Sequence, residues 1–177
     1  MPDSHPTLVL MAGLPGAGKT TLAYALGREL GWQVIDKDIY KNVLVKRGLD
    51  AVQAGKAAYE ISFAQIRAFL IHQQISVILD TAALQHFILD EVMQILKGTD
   101  RALLKVILCV ADRDLRNYRL RTRRFQPTSI RVDPATIPDY LRYFDHLPKN
   151  KLIIETNVQL FQCIIQAREY IKFEISV

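Results

Sequence analysis

The sequence is short of the features that mark several protein classes. It has two cysteines, Cys109 and Cys163, in 177 residues, which leaves no disulfide framework and no paired-thiol spacing for zinc. Cys109 lies in an apolar run and Cys163 in a helical pattern, so both are expected as buried free thiols. No apolar run approaches the roughly 20 residues of a membrane span, so no membrane partner is expected. The opening Met1-Pro2-Asp3-Ser4-His5-Pro6 has no basic stretch followed by an apolar one. No secretory signal is expected there, and the cytoplasm is the expected location. His5, His72, His86 and His146 form no metal-binding spacing. Repeats, low-complexity tracts and long linkers are absent, which predicts one domain over residues 1–177. Acidic excess is absent too: 23 Lys and Arg against 18 Asp and Glu leave a net charge of +5. That balance favours anionic partners, nucleotides or nucleic acid among them.

Glycine is also scarce, with eight in the chain, yet three fall at 13, 16 and 18. They belong to Gly13-Leu14-Pro15-Gly16-Ala17-Gly18-Lys19-Thr20, a complete phosphate-binding loop of the form G-x-x-x-x-G-K-[ST]. The glycines let successive backbone N–H groups turn toward one anion. Lys19 supplies a mobile point charge for the outer phosphates of a nucleotide, and Thr20 a hydroxyl for Mg²⁺. Context supports the motif. Residues 7–12 are a short apolar run suited to a buried strand, and residues 21–30 carry apolar side chains at 22, 25, 26 and 30. Strand, glycine loop and helix are what the motif requires, because the helix aims its positive end at the same anion.

Further elements alternate. Strands are predicted at 32–35, 75–79, 102–110 and 152–154, and helices at 38–47, 54–73, 85–96, 112–125, 135–147 and 158–170. Five apolar strands separated by helices imply an α/β fold, a five-stranded parallel sheet covered on both faces. Ligands then bind beyond the carboxyl ends of the strands. That rule singles out Gly13, Asp36 to Asp38, Asp80 and the segment from Asp112.

Asp36-Lys37-Asp38 follows the second strand. A carboxylate here suits the proton of an acceptor hydroxyl or a share of Mg²⁺; equally, an aspartate before a helix is a common N-cap. Asp38 is the candidate base. Asp80 ends an apolar strand and is followed by Thr81, as the metal-side acid of phosphate-loop proteins does. Arg113, Arg116, Arg119, Arg121, Arg123, Arg124 and Arg131 crowd one segment. Guanidinium groups stabilise charge on a transferred phosphoryl group. Arg119 and Arg123 share a helical face, and Arg116 precedes Arg119 on that side. Arg124 is placed toward the base or the acceptor.

With these residues in place the chain resembles the small kinases of the P-loop NTPase superfamily. That group includes polynucleotide 5′-hydroxyl kinases, chloramphenicol phosphotransferase, gluconate kinase and zeta-type toxins. Gly13 to Thr21 is the strongest part of the likeness. Residues 34–41 are similar to the segment whose aspartate activates the acceptor hydroxyl, and this places the base at Asp38 with Lys37 near substrate phosphate. Residues 119–123 resemble the lid, whose two arginines stand four apart. Residues 127–147 resemble the helix after the lid. The resemblance implies a three-layer fold with an arginine-rich lid at about 112–133. It further implies transfer of the γ-phosphoryl group of ATP, with Mg²⁺, to a hydroxyl. Lys19, Asp38, Arg119 and Arg123 would be catalytic. Residues Gly13 to Thr21 with Arg124 would hold nucleotide, Asp36, Lys37, Asp80 and Thr81 the acceptor side, and Thr20 and Asp80 the metal.

Departures narrow this picture. The Gly-Gly of shikimate kinases after the third strand is replaced by Thr81-Ala82-Ala83. GTPase signatures are absent, and a hexameric motor ATPase would be expected to carry a longer chain. The acceptor stays open between a nucleic-acid end or nucleoside and a metabolite or antibiotic. A toxin-like sugar-nucleotide kinase, and a nucleotide-binding switch or partner-binding protein with little transfer activity, are the alternatives.

Overall fold

The computed structural model describes residues 5–99, 101–122 and 141–172. Among them, five aliphatic runs form strands: β1 (Thr7–Ala12), β2 (Gln33–Asp36), β3 (Val77–Asp80), β4 (Leu103–Val110) and β5 (Leu152–Glu155). Six helices alternate with them: α1 (Lys19–Leu30), α2 (Lys37–Lys46), α3 (Ala51–Arg67), α4 (His86–Lys97), α5 (Arg113–Thr122) and α6 (Leu160–Lys172). The strands lie in the order β2-β3-β1-β4-β5, and every pairing is parallel. This is the α/β P-loop fold that the sequence predicts.

Side chains alternate across β1, and the alternation builds two cores. Leu8, Leu10 and Ala12 face Val77, Leu79, Val106 and Leu108, under Phe63 and Ile66 of α3 and Ile88, Val92 and Ile95 of α4. Val9 and Met11 face the other way with Ile78, Ile107 and Ile154, against Leu22 and Leu26 of α1 and Ala167 and Ile171 of α6. Helices therefore cover both faces, and each fully buried Leu, Ile or Val contributes roughly 1.5–3 kcal/mol. Cys109 and Cys163 sit in the second core as free buried thiols. Burial pushes the Cys109 pKa up to about 12.

Boundaries follow local chemistry. Asp50 caps α3 by accepting from the N–H groups of Val52 and Gln53, so that helix starts ahead of the predicted 54. It ends in a π-helical turn, Ala68–His72. Helix α1 stops at Gly31, whose φ of 68° is left-handed.

One predicted element is corrected. The helix predicted over 135–147 does not reach its end: Leu141–Phe144 is a 3₁₀ turn, and Leu147 N–H then closes on the Phe144 carbonyl at 3.1 Å. Pro148 disfavours helical conformation at Leu147, the residue before it. Residues 135–140 lie outside the described residues, as does the part of the predicted lid beyond 122. Phe144 and Leu147 still anchor the turn, both buried in the first core.

All five strands end on one edge of the sheet. Strand β1 lies between β3 and β4, and the chain leaves it toward β2 and β3 before crossing to β4. The crevice at such a reversal is where ligands bind in open parallel sheets. The segment that fills it is Gly13 to Gly18.

Candidate functional site

The loop after β1 threads between two backbones. A Cβ on Gly13 would stand 2.3 Å from the Cys109 carbonyl oxygen, and one on Gly16 would stand 2.7 Å from the Arg116 carbonyl oxygen. Both glycines have positive φ, 137° and 81°, so no other residue fits either position without strain. The Gly13 N–H donates to the Ala82 carbonyl at 3.2 Å, tying the loop to the β3 exit. Leu14 and Ala17 are buried in the two cores, so ligand contact there is left to their backbone. Pro15 is half-buried and Thr21 exposed.

Helix α1 begins at Gly18 with no side-chain cap and no acidic residue in its first turn. Most helix starts recruit a side-chain oxygen. An uncapped N-terminus leaves amides and a positive dipole end for an anion. Lys19 Nζ donates to the Leu14 carbonyl at 3.0 Å and so arches over the loop.

Opposite the loop stand three carboxylates. Asp80 is 4% exposed, and its pKa is raised to about 6, by burial first, with Asp36 and Asp38 adding to it. Lys19 and a hydrogen bond from Thr20 pull it back down. Asp80 Oδ1 is buried without a hydrogen-bond partner among the described residues. A desolvated carboxylate with one oxygen open, beside the Thr20 hydroxyl and Lys19, is a donor set that fits a hard divalent cation such as Mg²⁺. No group of three His, Cys, Asp or Glu among the described residues is placed to hold an ion. An ion here would therefore draw its other oxygens from phosphate and water.

Asp36 and Asp38 divide the roles open to them. Asp36, paired in register with Asp80, is the N-cap of α2: its Oδ1 accepts from the Asp38 N–H at 2.9 Å. Burial raises its pKa. Tyr24 donates to its other oxygen at 3.4 Å, and burial followed by Asp36 pushes the Tyr24 pKa up to about 12. Asp38 lies in the first turn of α2 with 47% of its side chain exposed, ion-paired to Lys37, whose side chain is 13% exposed. The Lys37 ammonium also lies 5.3 Å from the centre of the Tyr59 ring. Tyr59 shares a 3.0 Å hydrogen bond with Thr81, which is itself buried. The structure thus brings Asp36, Lys37, Asp38, Asp80 and Thr81 to one side of the loop.

The arginines come from the other side. Arg116 is 1% exposed; its Nε donates to the Ala111 carbonyl at 3.1 Å, and it packs beneath the loop. Arg119 reaches the loop itself, donating from Nη1 to the Gly16 carbonyl at 3.3 Å. The same nitrogen donates to Thr156 Oγ1 at 2.9 Å. Arg123 and Arg124 lie outside the described residues.

Two features escape the sequence reading. Thr156 follows the last strand, at the same carboxyl edge as Asp36 and Asp80, and that position was the available signal. The second is a histidine pair. His86 and His146 appear isolated in sequence, yet their rings stack at 4.4 Å, with His146 Nε2 buried and without a hydrogen-bond partner among the described residues. Nothing local marks that contact.

Comparison with known proteins agrees with this architecture. The family model AAA_33, described as an AAA domain, matches residues 8–147. The chain is 33% identical over 101 residues to the replication factor C large subunit of Halorubrum lacusprofundi, covering 56% of this chain and 19% of that protein. It thus spans about a fifth of the length of the curated relatives it matches. Three solved structures share the fold over nearly the whole chain. A Chloroflexus aurantiacus protein provisionally assigned as a kinase superposes with a TM-score of 0.72 at 20% identity, covering 94% of this chain and 99% of that one. The Mycobacterium tuberculosis APS kinase CysC gives 0.67 at 13%, covering 96% and 99%. A gluconokinase from Sinorhizobium meliloti gives 0.62 at 14%, covering 95% and 93%. At these identities the likeness is one of fold.

Proposed function

This chain belongs to the AAA_33 family of AAA domains, and we propose that it is an ATP-dependent phosphotransferase acting on a hydroxyl acceptor. One juxtaposition carries the reading. An uncapped helix N-terminus at Gly18 shares a sheet edge with Asp38, a carboxylate whose side chain is 47% exposed. A protein that only binds nucleotide needs the first and not the second.

In this reading residues Gly13 to Thr21 hold the triphosphate through backbone N–H groups, with Lys19 on the outer phosphates. Asp38 accepts the proton of the acceptor hydroxyl. The acceptor oxygen then bonds to the γ-phosphorus as the bridge to the β-phosphate breaks, and ADP leaves. Thr20 and Asp80 would hold Mg²⁺, which would supply positive charge against the phosphates as the group is transferred. Arg119 and, from the lid, Arg123 steady the charge on the transferred group, and Arg124 meets the base. Lys37 and Thr81 with Asp36 shape the acceptor side, where the aromatic wall of Tyr59 and Phe87 meets edge-on at 5.1 Å.

Asp38→Asn tests the role. The expected outcome is at least a hundredfold loss of phosphoryl transfer with nucleotide affinity within threefold of wild type. The assay is labelled γ-phosphate transfer screened over oligonucleotide 5′ ends, nucleosides, sugars, and phenicol and aminoglycoside antibiotics. Transfer that survives the substitution removes Asp38 as the base. The 33% identity with a replication factor C large subunit favours a second reading, a nucleotide-driven partner-binding domain. It predicts nucleotide binding with no transferred phosphate on any acceptor.

A further inference from the structure

Thr156, the residue after β5, is 7% exposed and holds three elements at once. Its N–H donates to the Val110 carbonyl at 2.8 Å, continuing the β4–β5 ladder by one residue. Its Oγ1 stands 2.9 Å from the Ala17 carbonyl and 3.3 Å from that of Val110. The same oxygen accepts from Arg119 Nη1 at 2.9 Å, and its main-chain carbonyl accepts from Arg119 Nη2 at 2.5 Å. A hydroxyl has one proton to give and two lone pairs to offer. With Arg119 donating to it, its own proton is directed to a carbonyl, and the nearer one is that of Ala17.

That hydrogen bond has a consequence across the peptide plane. In a trans peptide the C=O and the following N–H point in opposite directions. With the Ala17 carbonyl held toward Thr156, the Gly18 N–H is turned the other way, away from Thr156. Arg119 acts on the preceding peptide in the same manner through the Gly16 carbonyl, whose partner N–H, on Ala17, closes a turn on the Leu14 carbonyl at 3.1 Å. The hub sits directly against Gly18: a Cβ there would stand 3.2 Å from Thr156 Oγ1 and 3.5 Å from Arg119 Nη1. Gly18 itself has a φ of 84°, and because glycine populates positive and negative φ about equally, a hold on the peptide before it narrows its choice.

We propose that Thr156 is a positioning residue for nucleotide: it sets the Ala17–Gly18 peptide so that the Gly18 N–H meets phosphate, and it seats Arg119 against the same loop. This rests on the nucleotide-binding reading above and goes beyond it, because it assigns the β5–α6 junction a part in phosphate recognition that needs no direct contact with the ligand.

The test compares Thr156→Val, which keeps the shape and removes the hydroxyl, with Thr156→Ser, which keeps the hydroxyl. Calorimetry with Mg²⁺ and a non-hydrolysable ATP analogue reads affinity. Selective ¹⁵N-glycine labelling reads the loop, because the chain has only eight glycines. Thr156→Val is expected to weaken analogue binding about tenfold, the loss of one hydrogen bond to a buried carbonyl, and to abolish the ligand-induced shift of the Gly18 amide. Thr156→Ser should stay within threefold of wild type and keep that shift. Thr156→Ala, which also removes the hydroxyl, serves if the valine variant does not fold, and should lose the Gly18 shift in the same way. Equal affinity and an unchanged Gly18 shift in Thr156→Val, or in Thr156→Ala where that variant stands in, overturn the inference. A serine variant as weak as valine also overturns it. A wild-type protein that binds no analogue overturns the nucleotide reading and this one with it.

Discussion

At the scale of single residues, the site is built by holding charges where water would not leave them. Asp80 is the clearest case. Its folded pKa, about 6, lies above the ordinary 3.8 because burial disfavours the charged form. Between those two values the folded chain holds more protons than the unfolded one. This group therefore favours folding below about pH 4, and that contribution is lost as pH rises through 6. Asp80→Asn is accordingly expected to raise the melting temperature of the ligand-free protein at pH 8, by on the order of 5 °C. The gain should shrink toward pH 4.5, and phosphoryl transfer should be lost throughout. A melting temperature unchanged at pH 8 would mean that Asp80 is not a strained group. Much at this scale is legible in sequence, because the relevant neighbours are adjacent in the chain. The loop from Gly13 to Thr20 is contiguous, and so is the run from Asp36 to Asp38. What sequence leaves ambiguous is which aspartate does what. The structure makes Asp36 the helix cap and leaves Asp38 half-exposed beside Lys37, a division fixed by the direction in which α2 starts.

At the scale of elements, the telling contact joins the 3₁₀ turn at Leu141–Phe144 to the start of α4. His146, just after the turn, stacks on His86, and its pKa is lowered by burial and then by His86. Backbone groups of Ala83 and Tyr143 and the Asp90 carboxylate oppose that shift without reversing it. A histidine held neutral by the fold binds fewer protons than in the unfolded chain. Its stabilising contribution is complete above about 6.5 and is lost as pH falls through the folded pKa. Asp80 acts with the opposite sign over an overlapping range, so only differences between variants separate the two. His146→Phe retains the stack and cannot be protonated. Its melting temperature relative to wild type is expected to rise between pH 7.5 and 5.5, as followed by circular dichroism. A constant difference across that range would show that His146 does not carry this pH dependence. The sequence holds no trace of this contact, since nothing in the local pattern around either histidine differs from that of a surface residue. Within the described residues, the helix predicted over 135–147 gives way to the 3₁₀ turn at Leu141–Phe144, although its apolar spacing places Phe144 and Leu147 in the core.

At the scale of the whole molecule, the sheet order β2-β3-β1-β4-β5 puts β1 at the centre and shares its side chains between two cores. Helices on the two faces cannot separate without exposing the same strand. We therefore propose that residues 1–177 fold as one cooperative domain. Trp32 packs against the α1 and α6 core, so its fluorescence reports one layer, whereas far-UV circular dichroism reports all helices. In guanidinium chloride the two signals are expected to share one midpoint. Two midpoints would mean two folding units. No helix among the described residues is long and apolar enough to cross a membrane.

The sequence by itself determined the phosphate loop, the alternation of strands and helices, and the acids at the strand ends. Those depend on residue types at short, fixed spacing, and backbone preference and hydrophobic periodicity act over the same few residues. Only the tertiary structure decided which strand ends meet. It set Thr156 against Ala17 across 139 residues of chain and Arg119 against Thr156 across 37, and it stacked His86 on His146. Such contacts follow from strand order and from the path of the crossovers, which are properties of the packed sheet as a whole and leave no local mark on the residues they join.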